Sequence, residues 1–244
     1  MSEARRRRSY LGLVVLALVV PACGGEPAPG AVSTAESSSG PTPLLGGLVL
    51  EAGRYELRLD PKQDLHPMRI TFTVPDGWES WAFGVVPAEG GASAPAGRGL
   101  GFWVIDEVYA DPCRWNRGGL DPPVGPSVDD LVATLVEQRG RDASTPTDVT
   151  LAGYAGTGID VRVPPDIDFS DCWHSEFHSW TAVPYGGRYH QGPGQIDRLW
   201  ILDVDGDRLV IGASFFPETS PEDRAELWQI IDSVRIDRPG TPEG

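Results

Sequence analysis

The 244-residue chain holds a single lysine, Lys62, together with two methionines and three cysteines. Its 35 acidic residues outnumber its 20 basic ones, giving a formal net charge of −15. A phosphate backbone is bound by a basic face, and none is visible here, so nucleic acid is excluded as a partner. Three cysteines are too few for a disulfide-dense mini-domain, and the absence of CxxC removes thioredoxin-type redox motifs and zinc ribbons. No run of apolar residues reaches the ~20 that a spanning helix needs. There is no GxSxG nucleophile elbow. The glycine cluster Gly153, Gly156, Gly158 lacks GxGxxG spacing and leads into a strand pattern, so it reads as a turn.

What is present begins at the N-terminus. Arg5 to Arg8 form a positive segment, Leu11 to Val20 an unbroken apolar stretch, and Val20-Pro21-Ala22-Cys23 a small residue directly before cysteine. This reads as a secretory signal over 1–22. The tetrapeptide resembles a bacterial lipobox, which implies lipidation of Cys23 and a membrane anchor on the extracytoplasmic side of the cell membrane. Arg7-Arg8-Ser9-Tyr10-Leu11 also resembles a twin-arginine signal, so either export route is open. Glu3 against the four arginines makes this segment net +3, and its removal leaves a mature chain near −18. Cys113 and Cys172 then remain in a non-reducing compartment and are expected to pair. Residues 23–45 are rich in Gly, Pro, Ala and Ser and read as a tether that stands the domain off the bilayer. A single globular domain is expected over 46–238, followed by a tail at 239–244.

Within the domain, Tyr55, Leu57, Leu59 and Met68, Ile70, Phe72, Val74 alternate with polar residues as half-buried strands do. Trp81 to Val86, Leu100 to Ile105 and Ile159 to Val163 are further strands. Arg198 to Phe215 reads as a hairpin with Asp205-Gly206 at its tip. Ser127 with Asp130, and Ser220 with Pro221 and Asp223, mark the starts of two helices. The expected class is α+β, a central, mainly antiparallel sheet packed by helices.

The densest candidate site follows Cys172: Trp173, His174, His178, Trp180, Tyr185, Tyr189 and His190. Pro184 and Gly186-Gly187 make this segment read as an irregular loop. Its aromatics either seal an edge of the sheet or stack on a sugar or other flat ligand, and His174, His178 and His190 are candidate metal ligands. Glu176 does not occupy the HExxH position. Asp203, Asp205 and Asp207 read as one wet face of a strand rather than a calcium loop, whose glycine and distal glutamate fall elsewhere. No catalytic residue, cofactor or resident metal is expected.

Ile70-Thr71-Phe72-Thr73-Val74-Pro75-Asp76-Gly77-Trp78, Arg198-Leu199-Trp200-Ile201-Leu202-Asp203-Val204-Asp205-Gly206 and Ile230-Ile231-Asp232-Ser233-Val234 resemble segments of uncharacterised actinobacterial secreted lipoproteins. The Pro75-to-Trp78 turn and the ending after the last helix are also similar to PsbP-like domains. That resemblance implies a sandwich of helices about an antiparallel sheet, and a non-catalytic accessory role. The expected protein is a lipid-anchored interaction module, monomeric, meeting an envelope protein or polymer. The alternatives are a small-molecule or carbohydrate binder using 172–190 and a metal-dependent enzyme.

Overall fold

The structure is a computed structural model, and it describes residues 40–60, 67–93, 95–183 and 186–237. The signal, Cys23, Tyr185 and the 239–244 tail lie outside the described residues. The chain runs through β1 (Thr42–Pro43), β2 (Val49–Leu50), β3 (Gly53–Leu59), β4 (Met68–Val74), β5 (Trp78–Trp81), β6 (Gly84–Pro87) and β7 (Arg98–Val108). It continues with α1 (Val128–Glu137), β8 (Asp142–Ala143), β9 (Thr147–Leu151), β10 (Tyr154–Arg162), β11 (His178–Val183) and β12 (Gly187–Tyr189). A long hairpin of β13 (Ile196–Val204) and β14 (Asp207–Phe215), then α2 (Pro221–Asp232) and β15 (Arg235–Asp237), complete it. No helix among the described residues is long and apolar enough to cross a membrane.

The outcome is an α+β arrangement dominated by sheet, with helices packed less extensively than the sequence suggests. A large sheet runs β2-β5-β6-β7-β14-β13-β10-β8, with β9 joined to β10, β11 to β7, and β12 to β11. A four-stranded sheet, β1-β3-β4-β15, lies apart from it. Strand alternation gives the large sheet two faces. On one, Leu100, Phe102, Leu202, Leu209 and Ile211 pack with Phe72, Ile70 and Leu227 of the small sheet and α2. On the other, Trp103, Leu199, Ile201 and Val210 pack with Leu131 and Leu135 of α1 and with Trp180. A ten-residue helix is about 15 Å long, so α1 cannot cover that face alone and β11 and β12 complete it.

Local chemistry places the elements. Ser127 Oγ accepts the Asp130 amide at 3.1 Å and Asp130 returns the bond to the Ser127 amide at 3.0 Å, a closed capping box. Ser220 caps α2 in the same way, accepting from the Asp223 amide at 3.0 Å. Asp205 and Gly206 both take positive φ, as a type I′ hairpin turn requires.

Three readings need correction. Thr42–Pro43, expected within the 23–45 tether, pairs in parallel with Tyr55 and Glu56. Trp81 to Val86 is not one strand: it holds the last residue of β5, a turn at Ala82-Phe83 and the first three residues of β6. The 172–190 segment is not an irregular loop: His178–Val183 pairs with β7 and turns through Gly186 into β12.

Candidate functional site

The second face of the large sheet carries a buried charge cluster. Asp197 stands on β13 in phase with Leu199 and Ile201, so its carboxylate points into the interior. Arg188 of β12 meets it bidentately, Nε donating to Oδ2 at 3.0 Å and Nη2 to Oδ1 at 2.7 Å. Arg188 Nη2 also donates to Ser214 Oγ at 2.8 Å, and Nη1 to the Tyr189 carbonyl at 2.8 Å. Arg141, just beyond α1, lies 3.6 Å from Asp197 Oδ2 and donates through Nη1 to Ser179 Oγ at 2.8 Å. Burial pushes the Arg141 guanidinium down to about 10, still charged at neutral pH. Burial also favours a protonated Asp197, but Arg188 and Arg141 outweigh it and hold the carboxyl below its ordinary range. His190 is driven well below its usual value, first by burial and then by the two arginines, and stays neutral.

Ser179, His190 and Asp197 superficially form a nucleophile, base and acid, since Ser179 Oγ and His190 Nε2 are hydrogen-bonded at 2.8 Å. The arrangement does not meet the requirements of hydrolysis. His190 Nδ1 is 3.6 Å from Asp197, beyond hydrogen-bond reach, Ser179 is fully buried, and its oxygen is already occupied by Arg141. This is a polar core that fixes β11, β12 and β13 against α1.

Beside it opens a cleft of about 280 Å³. Trp81, Val86 and Trp103 give it an apolar floor, and Arg188 and Ser214 also line it. Glycines create the space: a Cβ at Gly101 would collide with the Trp103 ring, and one at Gly212 would meet it at 2.8 Å. Trp103 therefore lies across a trough in the sheet, edge-on to Trp180 and 6.0 Å from Trp81. The tryptophan surface is thus rigid and pre-formed, as ligand clefts commonly are.

The residues expected from the sequence divide among three settings. Trp173, His174, His178 and Tyr189 form an aromatic ladder with Tyr109 and Trp115, His178 stacking on Tyr189 at 3.7 Å. The Cys113–Cys172 disulfide clamps that ladder. Burial pushes the pKa of His178 down to about 4, outweighing a backbone hydrogen bond at Trp180 that raises it. Trp180 and His190 instead belong to the core, so they line no ligand face. Among the described residues of this set, only Tyr189 reaches the cleft. His174, His178 and His190 do not converge, and among the described residues no three His, Cys, Asp or Glu side chains are grouped to hold a metal ion. Trp81, Trp103, Arg141, Arg188, Asp197 and Ser214 were not signalled as a site. The one available hint was the spacing Gly99, Gly101 and Gly212 inside apolar strands, since strand glycines mark close approach.

Fold and site together define a sheet-dominated domain with a tryptophan-floored cleft backed by a buried ion pair. No family model and no curated protein matches the chain. Among solved structures it is similar to cyanobacterial PsbP (CyanoP) from Synechocystis sp. PCC 6803, at 12% identity and a TM-score of 0.32, over 79% of this chain and 97% of that one.

Proposed function

We propose that this protein is a lipid-anchored, extracytoplasmic, non-catalytic binding module whose ligand seat is the Trp81–Trp103 cleft. The observation that carries the reading is the rigid apolar floor in a cleft also lined by an immobilised arginine, a combination that orients a small ligand with a flat or aliphatic body. The anchor is supported by Arg5 to Arg8, the apolar run to Val20 and Cys23 directly after Ala22, and the compartment by the disulfide. The segments around Phe72, Trp200 and Ser233 support placing it with actinobacterial secreted lipoproteins.

Screening the protein by thermal shift against small aryl and alkyl compounds tests the cleft. Hits are expected to lose their effect in Ala92→Trp, which plugs the half-exposed rim without entering the core. A hit unaffected by the plug contradicts the assignment. The anchor is tested separately by intact mass of membrane-extracted protein, where an unmodified Cys23 overturns it.

A further inference from the structure

We infer that the cleft selects an anionic ligand: an apolar body carrying one carboxylate, sulfonate or phosphate group, with its oxygens on Arg188 and Ser214. The inference rests on the cleft being the ligand seat and adds the chemistry of its polar lining. Two independent features lead to it, the donor inventory and the charge balance.

Arg188 has five N–H donors. Nε and one Nη2 hydrogen go to Asp197, the second Nη2 hydrogen to Ser214 Oγ and one Nη1 hydrogen to the Tyr189 carbonyl. One Nη1 hydrogen is left over. Ser214 Oγ accepts from Arg188, so its hydroxyl proton is also free to donate. Both residues line the cleft, and both are more than nine-tenths buried. The cleft is therefore lined by two spare donors from fixed side chains, the complement of a group with two acceptor oxygens. A ligand that offers only a donor leaves both unsatisfied.

The charge balance points the same way. Two guanidinium groups, Arg141 and Arg188, share one carboxylate, Asp197, and the remaining neighbour, His190, is neutral. Arg141 is fully enclosed, its Nη2 stands 3.6 Å from Asp197 Oδ2, and its Nε meets no hydrogen-bond partner among the described residues. Among the described residues the cluster thus carries one uncompensated positive charge in a low-dielectric setting, and a bound anion neutralises it. The chain as a whole is −15, so its long-range field repels anions and any preference for one arises at this site.

The isosteric pair 2-naphthoate and 2-naphthamide tests the proposal by calorimetric titration of the full chain, since the two differ in charge and hardly in shape. Naphthoate is expected to bind roughly tenfold tighter or more, the worth of a charge-assisted hydrogen bond. Ser214→Ala is expected to reduce that ratio by roughly threefold. Ala92→Trp is expected to abolish both. Equal affinities for the two compounds, with both blocked by Ala92→Trp, overturn the anion preference and leave the cleft standing. No binding of either, or binding that Ala92→Trp leaves intact, overturns the cleft as well.

Discussion

The two faces of the large sheet are built to different standards. The face toward the four-stranded sheet is dry: Phe72 stacks on Phe102 at 5.2 Å, and Ile70, Leu202, Leu209, Ile211 and Leu227 are almost wholly buried around them. The face toward α1 encloses Arg141, Arg188, Asp197, His178 and His190 among tryptophans, with a cleft against them. An apolar core of equal volume would do as well for stability, because buried ion pairs recover little more than their desolvation cost. The charged face gives up that economy, and the gain is an oriented arginine in the same cleft as a rigid aromatic floor.

Four experiments break or sharpen the contrast. The largest effect is expected from Asp197→Asn, which changes charge and scarcely any volume: removing it strands two buried guanidinium groups and costs about 3–5 kcal/mol in denaturant unfolding. Ile211→Ala on the dry face costs about 2–5 kcal/mol by leaving a cavity. If Asp197→Asn proves neutral, the cluster is not what holds that face. Next is the disulfide that clamps the aromatic ladder. Closing a separation of 59 residues, it contributes about 4 kcal/mol on the chain-entropy model, so a Cys113→Ser, Cys172→Ser double variant should lower the unfolding midpoint markedly.

Acid comes third and acts on the charged face. His178 and His190 are neutral in the folded protein and ionise near 6.5 when unfolded, so below that pH the unfolded chain binds more protons. Stability therefore falls as pH drops from 6.5 toward 4, His178 alone removing on the order of 2 kcal/mol by pH 4. His178→Phe keeps an aromatic ring between Tyr109 and Tyr189 and should flatten that slope, as read by unfolding curves across pH. A slope that survives in this variant assigns the sensitivity to His190 together with the carboxylates held low in the fold, Asp197 and Glu56 among them. The smallest effect on stability, within about 0.5 kcal/mol, is expected for Ala92→Trp, because the residue lies at the rim. Its effect on ligand affinity should be complete.

The same contrast explains what the sequence disclosed. The dry face was legible because its information is local: alternation in β3 and β4, the Asp205-Gly206 turn and the Ser220 cap of α2 each act within a few residues. On the charged face the partners are far apart in the chain, Arg141 meeting Asp197 and Arg188 meeting Ser214 only through strand pairing. Local reading of 172–190 therefore groups Trp180 and His190 with Trp173 and His174, although the first two are buried in the core while Trp173 and His174 sit on an exposed 3-10 turn. The alternation was there in His178, Trp180 and Ala182, but Pro184 and Gly186-Gly187 drew the reading toward a loop instead of a hairpin.

The central claim is that ligand binds in the cleft and not on the aromatic ladder, and the indole N–H resonances of the eight tryptophans report on it directly. On titration with 2-naphthoate, the signals of Trp81 and Trp103 should move in step with occupancy, while those of Trp115, Trp173 and Trp228 stay in place. Movement of Trp115 and Trp173 with Trp81 and Trp103 unchanged contradicts the account.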